Sequence, residues 1–227
     1  MTELLIEPGS REATCYQRVV ARIRADILTG HWRSDARLKV RDLAAHYGVS
    51  AAPIREGLQQ LQGEGLVVME PQRGARVRRV DEQMIINIFD VREALESFLA
   101  ARFSAAASPH VVAMLDDLQA EHDAAVDAAD YAAAFVVNGR FHRLINGGAR
   151  NPEAVEIIDR HLRLIRALRM ECGFTAQRMR TIREEHLRLI EAFRRNDAAE
   201  AARLSALHVR SSRDDLLSRL GPRLGRA

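Results

Sequence analysis

The hydrophobic positions divide the chain into two kinds of pattern. In the first eighty residues, apolar side chains recur at helical spacing from Tyr16 to Leu28, from Val40 to Tyr47 and from Ile54 to Leu61. A short apolar run, Leu66–Met69, is followed by turn residues and by the alternating segment 75–79, and the two segments predict a β-hairpin. Three helices and a hairpin in this order predict a winged helix-turn-helix.

From Asp81 onward the pattern contains no strand, only helices separated by turn signals. The predicted helices span about 82–107, 109–129, 131–146, 152–171, 176–195 and 198–219. Short connections predict antiparallel neighbours. We therefore expect a mainly α protein, with an N-terminal winged helix-turn-helix domain over residues 1–80 and a C-terminal all-α antiparallel helical bundle over residues 81–227.

Composition narrows the class of protein. The 227 residues suffice for one large or two small domains, and 29% charged with 47% hydrophobic residues is an ordinary balance for a soluble protein. Charged residues interrupt every apolar stretch, and the N-terminus carries no secretory signal. The two cysteines are interpreted as reduced thiols. We expect a cytoplasmic protein that does not associate with membranes.

The charge distribution separates the two predicted domains. Residues 1–80 hold 13 Lys and Arg against 9 Asp and Glu, whereas residues 81–227 hold 21 against 22. A basic lobe is typical of nucleic-acid binding. The alternative is chance in a chain whose basic residues are almost all Arg.

Side chains around the third predicted helix have the chemistry needed to bind DNA. Ser50 precedes this helix and can cap it, and the free N–H groups there can meet a phosphate. Arg55 on the outer face can form two hydrogen bonds to guanine. Arg41 opens the preceding helix, and Arg73 with Gly74 forms the tip of the wing. The alternative is a winged helix that contacts protein, with Arg55 merely solvated.

Histidines on apolar helix faces predict a metal site. Asn138 and His142 lie one helical turn apart on one face, while His186 and His208 lie on the apolar faces of two later helices. Three imidazoles and an amide oxygen can hold a divalent ion. The alternative is a set of hydrogen-bonded core histidines. We expect the remaining histidines at the surface: His31, His46, His110, His122 and His161.

One arginine interrupts another apolar stripe. Arg92 lies at helical spacing among Ile85, Ile88, Leu95 and Leu99. A buried guanidinium needs an anion, because an unpaired buried charge costs several kcal/mol. The partner is either a ligand or a carboxylate of the bundle, such as that of Glu96.

The segment from Leu38 to Val77 resembles the DNA-binding domain of GntR-family transcriptional regulators. The resemblance rests on the GVS and PIRE motifs, the following Gly-Leu and a wing ending in Arg-Gly-x-x-Val. Ala51 stands where the family usually has Arg, and Ser34-Asp35 replaces the usual Pro-Gly. The resemblance implies a repressor that binds a palindromic DNA operator as a homodimer. It places four residues at DNA: Arg41, Ser50, Arg55 and Gly74.

Residues 82–219 are similar to the FCD domain of the FadR subfamily. The resemblance implies a divalent metal, zinc with nickel and manganese as alternatives, held by four residues: Asn138, His142, His186 and His208. Asn in the first position departs from the commoner Asp. The family also implies that Arg92 faces an effector cavity. Because the ligands are neutral, the ion keeps its charge, and a small organic acid is the expected effector.

Two other functions fit the same residues. A metal-dependent hydrolase with an accessory winged helix could use an open position on the ion to activate water. However, no carboxylate shares the histidine stripes as an evident general base, although Glu184 and Glu185 flank His186. A regulator could instead sense the metal itself. We expect a regulator and not an enzyme.

Overall fold

The computed structural model describes residues 15–71 and 73–224. The N-terminal segment in which we find no secretory signal lies outside these residues. The described chain divides into two compact units. One contains the residues up to Asp81, the segment Arg160–Glu171 and the end of the last helix, and the other contains Glu82–Asp159 and Cys172–Leu220.

The first unit is a winged helix-turn-helix. Its elements are α1 (Cys15–Leu28), β1 (Arg37–Leu38), α2 (Val40–Tyr47), α3 (Ala51–Gly63), β2 (Val67–Glu70) and β3 (Gly74–Val77). The strands form an antiparallel sheet in the order β1-β3-β2, with Val67 opposite Val77 and Leu38 opposite Ala75. The predicted hairpin is confirmed. Strand β1 was not predicted, because two residues are too few to show alternation.

The core of this unit lies between α1 and α3. Ile23 of α1 and Ile54, Leu58 and Leu61 of α3 are completely buried. Arg24 is also buried in α1, and its Nε and Nη2 atoms donate to the Glu64 carboxylate at 2.8 and 2.6 Å. This ion pair holds α1 against the end of α3.

The turn before β1 explains one departure from the family sequence. Asp35 occupies the position of the usual glycine and has a φ of +64°. Asp enters this left-handed region more readily than most residues other than Gly. The turn therefore forms without the Pro-Gly pair.

The second unit is helical, and its elements agree with the predicted spans to within about five residues. They are α4 (Glu82–Ala106), α5 (Pro109–Asp127), α6 (Tyr131–Gly148), α7 (Pro152–Cys172), α8 (Ala176–Arg194) and α9 (Ala198–Leu224). Residues Arg160–Glu171 of α7 and the end of α9 belong to the first unit. Asp130 and Thr175 cap α6 and α8 through backbone N–H groups at 2.9 and 3.0 Å. Among residues 15–71 and 73–224, none of the helices combines the length and the hydropathy of a membrane-spanning segment.

Candidate metal centre and DNA-binding surface

Three histidines from three helices meet inside the helical unit. One ring nitrogen from each of His142 (α6), His186 (α8) and His208 (α9) lies within 4.8 Å of the others. The ring centroids are 4.7–5.2 Å apart. Phe141 stacks on His186 with centroids 4.0 Å apart and an angle of 8°, which fixes the plane of that ring. The three helices therefore converge on one point, as the histidine spacing predicts.

Hydrogen bonds determine which nitrogen of His186 carries the proton. Nδ1 lies 2.8 Å from Oε1 of Gln119, while Nε2 of the same Gln119 donates to Asp123 at 2.7 Å. The amide oxygen can only accept, so His186 donates through Nδ1. Its Nε2 is then an unprotonated acceptor, and this atom is buried with no hydrogen-bond partner. It is thus free to bind a cation.

His208 is held in the same tautomer by a carboxylate. Its Nδ1 lies 2.7 Å from Oε2 of Glu185, and Nη1 of Arg178 donates to the same oxygen at 2.7 Å. The carboxylate accepts, so Nδ1 of His208 carries the proton and Nε2 is left for an ion. Arg178 balances the charge of Glu185, which makes this supporting pair neutral.

Burial keeps the three rings neutral. Loss of hydration lowers the pKa of His142 from 6.5 to about 4; the charge of Glu96 raises this pKa by a smaller amount, and the charge of Arg92 lowers it further. Desolvation likewise puts the pKa of His186 well below its ordinary value, as does repulsion from the other two rings. The pKa of His208 is lowered in the same way. Neutral imidazoles are the form that binds metal, so protons compete little for this centre.

Asn138 is the fourth residue of the predicted ligand set. It precedes His142 by one turn of α6, and its Oδ1 is buried without a hydrogen-bond partner. An amide oxygen and an imidazole nitrogen that are both buried and unpartnered each lose the free energy of a hydrogen bond. A divalent cation would satisfy both. The residues present therefore fit the metal that the sequence predicts.

Arg92 is buried and paired within its own helix. Nε donates to Oε1 of Glu96 at 2.8 Å, and both side chains are almost completely buried. This is the bundle ion pair that the sequence offered as an alternative partner. Nη1 of Arg92, however, is buried without any hydrogen-bond partner. The guanidinium thus retains one donor that the ion pair does not use.

The structure corrects one prediction about the remaining histidines. His122 of α5 was expected at the surface, but only 1% of it is exposed, and its ring centroid lies 5.8 Å from that of His186. The buried residues of α5 are Val112, Leu115, Gln119 and His122. Their spacing of three, four and three is a helical stripe, so the sequence did contain the signal.

The side chains predicted to contact DNA lie at the surface of the winged helix. Arg41, Ser50, Arg55 and Arg73 are all exposed. Ser50 occupies the N-cap position of α3, but its side chain makes no capping hydrogen bond. The structure therefore has Ser50 at the predicted N-cap position but without the side-chain hydrogen bond of a capping residue. The Ser50 hydroxyl and the first backbone N–H groups of α3 remain available to a phosphate.

Gly74 has a structural reason to be glycine. Its φ is +89°, and a Cβ at this position would lie 2.3 Å from the backbone oxygen of Leu38. The wing strand β3 thus approaches β1 more closely than any side chain permits. Gly74 opens the strand directly after Arg73, so this close approach also fixes where Arg73 leaves the sheet.

Comparison with known families settles the class of protein. The model described as "Bacterial regulatory proteins, gntR family" matches residues 15–77, and the FCD domain model matches residues 87–211. The chain belongs to the GntR family and carries an FCD domain. This GntR-family regulator therefore combines the two domain types that its motifs resemble, and the winged-helix and helical fold is confirmed.

Curated relatives of this GntR-family regulator are transcription factors. The repressor GlaR of Escherichia coli is 35% identical over 79 residues, which cover 35% of this chain and 36% of that protein. The gluconate operon repressor of Bacillus subtilis is 36% identical over 85 residues, covering 37% and 35%. The matched segments thus span little more than a third of these relatives. The relatives are regulators and not enzymes, as predicted, which argues against the hydrolase.

Solved structures share the fold of this GntR-family regulator over nearly its whole length. The Listeria monocytogenes regulator Lar, described as controlling the agr system, gives a TM-score of 0.75 at 16% identity, covering 92% of this chain and 99% of Lar. The Escherichia coli protein McbR/YncC gives a TM-score of 0.64 at 20% identity, covering 91% and 98%.

Proposed function

We propose that this GntR-family regulator is a repressor controlled by a small organic acid. In this proposal a homodimer binds a palindromic operator, and the helical unit holds one divalent ion, zinc in the first instance. The effector is a carboxylate that binds the ion together with Arg92 and lowers the affinity for DNA. The unpartnered nitrogen of His186 is the single observation on which the proposal depends.

The hydrogen bonds of the helical unit support a preformed metal site. Gln119 and Glu185 each accept from the Nδ1 atom of one histidine, so both rings present Nε2 before any ion arrives. Such outer partners fix the orientation of metal-ligating histidines in proteins generally. An ion bound here would be a Lewis acid with open positions for an oxygen ligand.

The charges of the unit determine what kind of ligand would join the ion. Asn138 and the three histidines are neutral. The two buried ion pairs, Arg92 with Glu96 and Arg178 with Glu185, add no net charge. A divalent ion would therefore keep its double positive charge in a buried setting, where an uncompensated charge is costly. An anion that binds the ion removes this cost, which favours a carboxylate.

Arg92 provides the second contact in this proposal. Its free Nη1 can donate to one oxygen of a carboxylate while Glu96 holds the rest of the guanidinium in place. Glu96 and Arg92 both influence the pKa of His142, so their charges act at the histidine cluster itself. A carboxylate bound at the ion would thus lie in the field of Arg92.

The proposal is tested by titrating operator binding with acids. An operator is first selected from random DNA, and its affinity for the zinc-loaded protein is measured at fixed salt against acetate, succinate and gluconate. We expect at least one acid to weaken operator binding by about 1–3 kcal/mol, a typical coupling free energy. If none of the three acids changes the affinity, the carboxylate proposal fails. If zinc alone changes it, the metal is itself the signal.

A variant pair separates the effector contact from the bundle ion pair. Arg92→Ala leaves Glu96 buried without its partner and so endangers the fold. The double variant Arg92→Met/Glu96→Gln removes both charges and avoids this penalty. We expect it to keep metal and operator binding but to lose the response to the acid. The control is Arg102→Ala, an exposed arginine of the same helix, which should respond as the wild type does.

A further inference from the structure

A second cluster of metal-binding side chains lies in the winged-helix unit. Asp26, His31 and His46 each offer a nitrogen or oxygen atom, and these three atoms lie within 4.8 Å of one another. None of the three belongs to the centre in the helical unit. We propose that Asp26, His31 and His46 form a second divalent-metal site, which binds Zn²⁺ and links the end of α1 to α2.

The turn after α1 brings two of the ligands together. Asp26 lies in the last turn of α1, and Gly30 reverses the chain with a φ of +82°. The backbone N–H of Trp32 then donates to the carbonyl of Asp26 at 3.1 Å. This hydrogen bond holds the turn against the helix, so His31 lies beside the Asp26 carboxylate. His46 comes from the last turn of α2.

The carboxylate is supported as a metal ligand usually is. The hydroxyl of Tyr47 donates to Oδ2 of Asp26 at 2.6 Å, and Nε1 of Trp32 donates to that hydroxyl at 2.9 Å. These two hydrogen bonds use one oxygen of the Asp26 carboxylate and leave the other for an ion.

The two imidazoles are neighbours at the surface. Their ring centroids are 5.4 Å apart with an angle of 35°, and both side chains are exposed. Each ring also meets Trp32 edge-on, at 5.0 and 5.5 Å. An aromatic cluster without an ion is the competing interpretation. Exposed rings bury little apolar area, however, whereas two imidazoles and a carboxylate suit zinc and leave positions for water.

An ion at this site would restrain the helices of the helix-turn-helix. Helices α2 and α3 form the helix-turn-helix, and α1 packs against α3. An ion held by α1, its following turn and α2 would restrain the three helices together. Since the ion binds only the folded unit, it stabilises that unit by mass action.

Zinc binding by the full chain tests the proposal. Bound Zn²⁺ is measured by equilibrium dialysis and elemental analysis for the wild type, His31→Ala and His46→Ala. The control is His110→Ala, an exposed histidine outside both clusters. We expect the wild type and His110→Ala to bind one more zinc ion per chain than either His31→Ala or His46→Ala. Equal stoichiometry in all four proteins would overturn the proposal.

Two further measurements keep the result independent of folding and of the other centre. Circular dichroism in EDTA should show equal melting temperatures for the wild type and His31→Ala, because His31 lies in an exposed turn. Zinc should then raise the melting temperature of the wild type more than that of His31→Ala. Repeating the dialysis in a His186→Ala background should preserve the difference of one ion. A difference that disappears there would assign the ion to the helical unit and overturn the second site.

Discussion

The two units of this regulator use polar side chains in opposite ways. The winged helix presents its proposed DNA contacts to water, and 92% of the Arg41 side chain is exposed. The helical unit buries its proposed ligands, and His186 is completely inaccessible. Replacing a solvent-exposed side chain changes the free energy of unfolding little, whereas replacing a buried polar group leaves its hydrogen-bond partners unsatisfied. Substitutions in the two units should therefore have different kinds of effect.

The largest effect is expected from the buried centre. His186→Ala should release the ion of the helical unit, so that the variant binds one zinc fewer than the wild type. At free zinc a thousandfold above the dissociation constant, the wild type gains about 4 kcal/mol of stability that the variant lacks. Differential scanning calorimetry with and without zinc measures this gain. A variant that binds as much zinc as the wild type would remove His186 from the centre.

Acid should destabilise the helical unit through its buried histidines. In the metal-free protein the pKa of His142 is about 4, below the value of about 6.5 expected in the unfolded chain. Between these values the unfolded chain binds more protons, so the free energy of unfolding falls as the pH is lowered. From pH 7 to pH 5 we expect a loss of about 2 kcal/mol from this group alone.

Urea unfolding of EDTA-treated protein at pH 7, 6 and 5 measures the loss. His186 and His208 shift in the same direction and should add to it. His142→Asn removes one of the three groups and should make the pH dependence weaker. Unfolding free energies that stay constant over this range would show that the three rings are not buried as neutral groups.

The smallest effect on the fold is expected at the recognition helix. Arg55 is exposed and has no ion pair among the described residues. We expect Arg55→Ala to weaken specific operator binding by about 1–3 kcal/mol and to relax the preference at one base pair per half-site. Its melting temperature should stay that of the wild type. Fluorescence anisotropy with operator and random DNA measures the change in affinity.

Arg41→Ala provides the comparison within the same unit. Loss of an arginine that contacts only phosphate should lower the affinity equally for all DNA sequences and reduce the salt dependence of binding by about one counterion. If Arg55→Ala also weakens specific and random binding equally, Arg55 contacts the backbone and not a base.

Periodicity made most of the fold predictable. The helices and hairpin follow from apolar positions that repeat at regular spacing, and the convergence of His142, His186 and His208 follows from their places on three such stripes. Strand β1 was missed because its two residues carry no pattern. His122 was missed although the stripe that it shares with Gln119 was present in the sequence.

The hydrogen bonds that support the histidines could not be predicted from the sequence, for a physical reason. Glu185 reaches His208 from another helix, and Gln119 reaches His186 in the same way. Both contacts depend on how far one helix slides along its neighbour, which intrahelical spacing does not determine. The prediction for Arg92 left a ligand and Glu96 as alternatives, since a one-turn neighbour and a cavity ligand satisfy the same donor.

The close approach at Gly74 also bears on how this regulator can evolve. Every single-base change of a glycine codon yields another glycine codon, a stop codon or a residue with a Cβ. Since that Cβ would meet the main chain of Leu38 at 2.3 Å, each missense change at this codon must displace one strand of the wing. The recognition helix can exchange exposed residues and acquire new operators step by step. The wing allows no such path at position 74, so we expect DNA preference to diverge by changes at other positions while Gly74 is kept.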